Sequence, residues 1–427
     1  MIDRGDTVGA LVLGFDQARA FDTEQIDMLA AIAAEAAQAT HRARVTQRER
    51  EISRILQASL LPEEPVSSWN GTSVTTWYSA GTEHIDVGGD WYDAIELPNG
   101  RLGVSIGDVV GRGLRAGAAM GQLRSALRGL ALERRGPGAT LEALNRFAAM
   151  TPGTELATVT YGELDPITGT FTYACAGHPP PLALVGGQVE LLDEGRSPLL
   201  AAGFDGHRGE ATCQLPPGST LVLYTDGLVE RREEPFHRGI ERLRATLERA
   251  AAKELPDLAE TLIETLLGQR DRTDDAALLC LRTGIPASLT MTFPSIPEEL
   301  RQVRQRLRDW LTIRSYPEHE AEALVLAVNE AAANAIEHGY RSGNGIVELT
   351  GEAQDGHLEV TITDHGSWKD GDPDPARGRG LDLMRTLMDD VEIRAGTVGT
   401  TVVLRQTPDD DDPARPEPGQ SRSPALG

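Results

Sequence analysis

Two hydrophobic periods divide this chain, and each marks a different kind of element. Residues 22–61 carry apolar positions at helical spacing in IDMLAAIAAEAAQA. A charged half follows, THRARVTQREREISRILQASLLP, and Pro62 ends it. Ahead of this helix, GALVLGF (9–15) reads as a strand. One strand and one helix cannot enclose a core. Residues 1–45 therefore read as the closing piece of a larger unit whose upstream strands are expected to be absent. Residues 46–62 continue as a helical linker, expected to pair as a coiled coil and hold a homodimer.

Between 63 and 284 the pattern changes to short apolar runs bounded by Gly, Pro and Asp. VTTWYSA, LGVSIGD, ATVTYGEL, GTFTYACAG, STLVLYTDG and AALLCLR read as strands. Helical periodicity is confined to 114–134 and 240–268. Strands and helices come in blocks without regular alternation, which predicts an α+β unit. The pattern restarts at Ala287. SLTMTFPS reads as a strand, 297–314 as a helix, 322–340 as a second helix, and IVELTGEAQDGHLEVTITD as two strands around a turn. A loop (366–380), a helix (381–390) and the strands VEIRAG and TTVVLR close a unit spanning 287–406. Residues 407–427, with DDDD and many prolines, are expected to be a disordered tail.

Composition narrows the function. A net charge of -24 over 427 residues disfavours direct nucleic-acid binding, which needs a basic surface. It suits a chain that meets metal ions or basic partners. Cys175, Cys213 and Cys280 are too widely spaced for a disulfide framework or a zinc site, which suggests a reducing cytoplasm. No apolar run approaches the roughly 20 residues that span a bilayer, and no secretion leader is visible. A cytoplasmic location with no membrane contact is expected.

Four stretches of the middle unit place acids beside strands: VGGDWYD (Asp90, Asp93), SIGDVVG (Asp108), YTDGLVE (Asp226) and RTDDAALL (Asp274, Asp275). Small neighbours would let backbone approach a bound ion. Oxygen donors without Cys or His suit Mg²⁺ or Mn²⁺, and a divalent ion offsets the repulsion of gathered carboxylates. Two such ions can activate a water and clamp a phosphoryl oxygen. Asp-Gly alone is a common turn, but four acid-bearing stretches abutting apolar strands point to one site.

The helix EALVLAVNEAAANAIEHGY (322–340) poses a separate question. Leu324, Val328, Ala331 and Ala335 form an apolar stripe, yet Glu330, Asn334, Glu337 and His338 occupy the flank beside it. That flank is either solvated or aimed into a ligand site. VTITDHG (Asp364, Gly366) ends a strand, and GRGLDLM places Gly378 and Gly380 where a loop enters a helix, a position suited to phosphate. Taken with a Gly-Thr turn before the last strand, these favour the ligand site.

In order and spacing, VGGDWYD, IGDVVGRG, AGHPPPL, LYTDGLVE and TDDAALL resemble the SpoIIE-type branch of the PPM metal-dependent serine/threonine phosphatases. The resemblance implies an α/β/β/α sandwich with two Mg²⁺ or Mn²⁺ ions at one end. It implies that Asp108 bridges both ions with the Val109 carbonyl as a further ligand. Asp226 and Asp274 would hold one ion and Asp90 the other, with Asp275 separated from Asp274 only by the register of its turn. Arg112 stands where the family often has His, a surface-loop position expected not to touch the ligand set. His178 reads either as a neighbour of the site or as a turn residue before prolines.

NEAAANAIEHGY with the later glycines resembles the GHKL ATP-binding fold, an α/β sandwich, and within it the anti-sigma-factor serine kinases. Here the resemblance implies that Asn334 ligates the Mg²⁺ of ATP and that Glu330 is the general base toward a substrate serine. Asp364 would accept from the adenine amino group, Gly366 would let the base approach, and Gly378 and Gly380 would lie in a lid over the phosphates. Residues 7–62 resemble the end of a GAF sensory domain and its junction to such a phosphatase. The implied function is a partner-switching regulator. It would dephosphorylate a STAS-type anti-sigma antagonist, while the GHKL domain phosphorylates an antagonist or holds a sigma factor. The alternative is a GHKL domain that binds ATP as a non-catalytic anti-sigma module.

Overall fold

The computed structural model describes residues 2–407 except 4–5, 8, 11, 13, 15, 17–19, 61–66, 80–87, 134, 205, 232–233, 269–273, 341–344, 355–356, 367–376 and 397–398. The expected tail beyond 407 lies outside the described residues. At the start, β1 (Ile2–Asp3) and β2 (Asp6–Thr7) pair antiparallel, and α1 (Thr23–Leu60) is one continuous helix. Of the strand expected at 9–15, the described residues 9, 10, 12 and 14 belong to no strand.

The middle unit contains β3 (Ser68–Trp69), β4 (Thr72–Ser79), β5 (Trp91–Leu97), β6 (Arg101–Asp108), α2 (Leu114–Ala131), α3 (Pro137–Met150), β7 (Thr158–Asp165) and β8 (Thr170–Ala176). It continues with β9 (Leu182–Val185), β10 (Gln188–Leu191), β11 (Arg196–Ser197), β12 (Ala211–Gln214), β13 (Thr220–Tyr224), α4 (Asp226–Val229), α5 (Phe236–Arg249), α6 (Leu255–Leu267) and β14 (Ala276–Arg282). Two sheets form, in the orders β10-β9-β13-β14-β4-β3 and β11-β8-β7-β6-β5, with β12 on β8. Leu102, Val104, Phe171, Leu221 and Leu279 pack between the sheets. Helices α2 and α3 cover the outer face of one sheet, and α5 and α6 cover the other. This double covering explains why β13 and β14 read as nearly unbroken apolar runs: both faces are buried. Helix α3 was not foreseen, because its Gly-Pro-Gly opening reads as a loop.

The last unit holds β15 (Ser288–Pro294), α7 (Leu300–Ile313), α8 (Glu318–Asn334), a π-turn (Ala335–Gly339), β16 (Ile346–Gln354), β17 (His357–Asp364), α9 (Arg377–Leu387), β18 (Asp390–Ala395) and β19 (Thr400–Gln406). One antiparallel sheet, β15-β16-β17-β19-β18, carries the helices on its buried face. β15 alternates buried and exposed residues, as a one-sided sheet requires. Among the described residues no helix is long and apolar enough to cross a membrane. The three cysteines are free.

The two units share a seam. The turn Asn70–Gly71 takes left-handed φ values of 43° and 81°, the geometry of a tight hairpin. Asn70 then brackets Ser288: its Nδ2 donates to the Ser288 carbonyl at 2.7 Å and its Oδ1 accepts the Ser288 N–H at 2.8 Å. A Cβ at Gly71 would collide with the Ile285 carbonyl. Ile167, in the β7–β8 turn, is 3% exposed and belongs to the hydrophobic core of the last unit. Beside it, Arg306 pairs with Asp165.

Candidate functional site

Strand pairing creates the first site. Trp91 of β5 lies opposite Gly107 of β6, and Tyr224 of β13 lies opposite Leu278 of β14. Residues flanking those positions, Asp90, Asp108, Asp226 and Asp275, therefore gather at one end of the sandwich. Asp90 and Asp275 are buried. Burial, with the charge of Asp108 next, holds the Asp90 carboxyl well above the usual range, and Thr225 opposes this by hydrogen bonding. Asp108 is pushed up to about 7 by burial and by the charge of Asp226. Asp226 is raised by burial and by Glu230. The cause is common to all three: negative groups sit in poor solvation near each other.

Those features fit divalent ions. The donors are all oxygen. Asp90 Oδ2 is buried without a hydrogen-bond partner. Gly89 has no side chain, and a Cβ there would run into the Val109 carbonyl and lie 2.9 Å from Asp108 Oδ1. The carboxylates gather without closing, since among the described residues no group of three or more acid, His or Cys side chains is already arranged as a metal site.

The remaining acids divide. Asp275 Oδ2 accepts the Gly89 N–H at 3.1 Å. Asp274 instead is 58% exposed and pairs with Arg112 at 3.0 Å. Arg112 thus does touch a residue of the expected ligand set, correcting its placement away from it. Asp93 points elsewhere, to Arg124 at 3.2 Å and Arg128 at 3.7 Å on α2. His178 proves to be a neighbour of the site. It lines the same cleft as Asp108 and Asp226, an opening of about 850 Å³. Its Nδ1 lies 2.8 Å from Thr158 Oγ1, and burial lowers its pKa to about 3. Thr225 escaped the sequence reading. Its hydroxyl accepts the Ala277 N–H at 2.8 Å and so ties β13 to β14 beside Asp90; only its place before Asp226 could have signalled it.

The second site lies between α8, α9 and the sheet. Asn334 and Asp364 line a largely apolar cleft of about 700 Å³ with Leu381, Met384, Ile393 and Thr400. Asp364 is 3% exposed, its Oδ1 accepts the Gly366 N–H at 3.0 Å, and burial raises its pKa. An apolar slot with one buried acceptor and one amide suits a flat, polar-edged ring. Thr400 faces Asp364 across β17 and β19; the Gly-Thr turn was its signal. Gly378 and Gly380 lie inside α9 rather than in a loop before it. Helix α9 begins four residues earlier than expected, which places both glycines in its first turn. Gly380 abuts Glu330: a Cβ there would collide with Glu330 Oε1. Glu330 is not part of the cleft wall that Asn334 and Asp364 form. Gly366 makes room for the Gly339 carbonyl. Glu337 is exposed on the π-turn, and the side chain of His338 lies outside the described residues.

The geometry defines a PPM-type α/β/β/α sandwich joined to a GHKL-type ATPase domain. The family model "Stage II sporulation protein E (SpoIIE)" matches residues 98–284, and "Histidine kinase-like ATPase domain" matches residues 293–406. Serine-protein kinase RsbW of Bacillus pumilus is 31% identical over 135 residues, 27% of this chain and 83% of that protein. RsbW of Bacillus subtilis is 32% identical over 133 residues, covering 27% and 82%. Through its C-terminal domain the chain belongs to the RsbW serine-protein kinase family, with a SpoIIE domain ahead of it. Phosphoserine phosphatase RsbU of Bacillus subtilis is 25% identical over 198 residues, 45% of this chain and 59% of that protein. The crystal structure of the RsbU and RsbW domains of a Mycobacterium tuberculosis protein aligns over 80% of this chain and 94% of its own, at 30% identity and a TM-score of 0.48.

Proposed function

We propose that this chain is a cytoplasmic partner-switching regulator. Its sandwich removes phosphate from phosphoserine or phosphothreonine of a STAS-type anti-sigma antagonist. Its ATPase domain binds ATP with Mg²⁺ and phosphorylates such an antagonist or holds a sigma factor. One observation carries the phosphatase half: carboxylates from separate strand ends converge at one end of the sandwich, where burial first and neighbouring negative charge second raise their pKa values.

In this reading Asp108, with the Val109 carbonyl as a further ligand, and Asp90, Asp226 and Asp274 would hold the Mg²⁺ or Mn²⁺ ions. Asp275 keeps its bond to the Gly89 N–H and so fixes the backbone beside Asp108. When bound, the ions supply an activated water and positive charge toward the phosphoryl oxygens. In the second domain Asp364 would accept from the adenine edge, Asn334 would ligate the Mg²⁺ of ATP, and Glu330 would take the proton of the incoming serine hydroxyl. Gly366, Gly378 and Gly380 let backbone close on the nucleotide. A homodimer through the linker helix, residues 46–62, belongs to the same reading.

A second reading, an ATP-dependent anti-sigma clamp without phosphoryl transfer, draws on Glu330 lying against Gly380 rather than on the cleft wall. Purified protein with Mn²⁺ and a phosphorylated STAS antagonist tests the phosphatase, with Asp108→Ala as control. Absence of phosphate release from the wild type sinks that half. Labelled ATP with wild type and Glu330→Ala separates kinase from clamp: transfer by the wild type alone supports the kinase.

A further inference from the structure

The cleft beside Asp108 and Asp226 has a charge problem that ions alone do not solve. Glu230 and Glu234 also line it, so a phosphomonoester dianion approaches four carboxylates. Arg196 is the one cation lining this cleft among the described residues. We infer that Arg196 is the phosphate-binding residue of this site, taking the phosphoryl oxygens of a phosphorylated protein segment. The inference rests on the phosphatase reading above.

Several observations support it. Arg196 is exposed. Among the described residues its guanidinium has no ion pair, although Glu230 and Glu234 share the cleft. Glu234 is already engaged by Arg242 at 2.8 Å. A guanidinium fork matches phosphate with two parallel N–H donors, which Lys cannot reproduce.

The backbone under Arg196 is fixed to an unusual degree. β11 is only two residues long, yet it pairs parallel with β8, Arg196 opposite Cys175. Cys175 donates its N–H to the Gly195 carbonyl at 3.0 Å, and Gly177 donates to Ser197 at 2.8 Å. Behind the strand lies Arg208, 1% exposed. It donates to Ser197 Oγ at 2.6 Å, to the Pro198 carbonyl at 2.5 Å, to the Leu199 carbonyl at 3.2 Å and to Asn145 Oδ1 at 2.7 Å. Burying an arginine is costly unless its donors are met; here three of its four acceptors lie in residues 197–199, the segment that follows Arg196, and the fourth is on α3. Neighbouring strand residues point to opposite faces, so anchoring Ser197 inward presents Arg196 outward to the cleft. Arg208 is thus a positioning residue. The rim adds Pro179 and Phe236, the latter 39% exposed, an apolar surface suited to a peptide flank more than to free phosphate.

The test uses the full chain loaded with Mn²⁺. Calorimetry measures the Kd of inorganic phosphate, and kinetics measure the KM of a phosphoserine peptide. For Arg196→Ala both are expected to rise about tenfold, the range of one lost charge-assisted pair. Arg196→Lys recovers part of the loss, while Mn²⁺ affinity and melting temperature stay at wild-type values. Unchanged phosphate affinity in Arg196→Ala overturns the inference. So does a parallel fall in Mn²⁺ affinity, because the residue would then act through the ions. If Arg196→Ala does not fold, Arg196→Gln carries the same measurement. A wild type without turnover removes the phosphatase reading, and the phosphate Kd still decides the role of Arg196.

Discussion

Asp165 at the end of β7 and Arg306 on α7 form an ion pair across the seam between the two folds, with side chains 8% and 13% exposed. Asp165 Oδ1 also accepts the Ile167 N–H at 3.0 Å, so one carboxylate shapes its own turn and grips the neighbouring domain. Removing one partner of a buried pair leaves an uncompensated charge. Arg306→Ala is expected to cost about 2–4 kcal/mol in urea unfolding. The double variant with Asp165→Ala should cost less than the sum of the singles. Strict additivity would mean that the two residues do not cooperate.

Stability of the metal-free protein should depend on pH with a defined sign. The folded-state pKa of Asp108, about 7, lies above its unfolded value near 3.9. The folded chain therefore holds a proton that the unfolded chain releases. This contribution is fully present below about pH 4 and is lost as pH rises through about 7. With chelator present, the melting temperature should fall between pH 5 and pH 8, and Asp108→Asn should flatten that fall. Mn²⁺ at pH 8 should restore the loss, since an ion bound only by the native state stabilises it. An identical slope in Asp108→Asn would assign the pH dependence to other groups.

Asp90 and Asp93 are three residues apart but should respond oppositely to amide substitution. Asp90→Asn removes a buried, repelled carboxylate whose Oδ2 has no hydrogen-bond partner, so metal-free stability should rise while Mn²⁺ affinity falls. Asp93→Asn breaks the contacts to Arg124 and Arg128. Stability should then drop by roughly 1–3 kcal/mol with Mn²⁺ affinity retained. Paired melting and calorimetry on the two variants provide the check.

Two glycines beside the candidate nucleotide cleft differ in what they face. At Gly366 the obstacle to a methyl group is the Gly339 backbone, which has little room to move. Gly366→Ala should cost roughly 1–3 kcal/mol and weaken ATP binding in a fluorescent-nucleotide titration. At Gly380 the obstacle is the end of the Glu330 side chain, which can rotate away. Gly380→Ala should leave stability within about 1 kcal/mol while lowering phosphoryl transfer from labelled ATP. Equal destabilisation by both would contradict this distinction.

Much of this arrangement was legible in the chain. SLTMTFPS and AALLCLR read as strands and are strands, β15 and β14. Acids at the ends of β6 and β13 and ahead of β5 and β14 were visible as a set, because strand ends on neighbouring strands meet. What escaped depends on distance along the sequence. Asn70 and Ser288, separated by 218 residues, leave no local trace of their pairing, nor does the contact between Glu330 and Gly380. Spacing could not show that Asp93 faces α2 while Asp90 joins the cluster, or that Arg112 reaches Asp274. Arg208 looked like any surface arginine until its four acceptors were seen. The missed α3 and the early start of α9 share one cause: glycine and proline at a helix opening resemble a loop.

Ile167 carries a consequence for the history of the molecule. In Bacillus subtilis, RsbU and RsbW are separate proteins; here their counterparts occupy one chain. Joining two genes would yield two independent bodies on a tether. Seating a turn of the first inside the core of the second goes further, because either half expressed alone would carry an apolar scar where the other had been. Recombination that swaps one half for a relative would have to carry the Asp165–Ile167 turn or rebuild the slot that receives it. The seam residues Asp165, Ile167 and Arg306 therefore form one unit that a domain exchange has to move together.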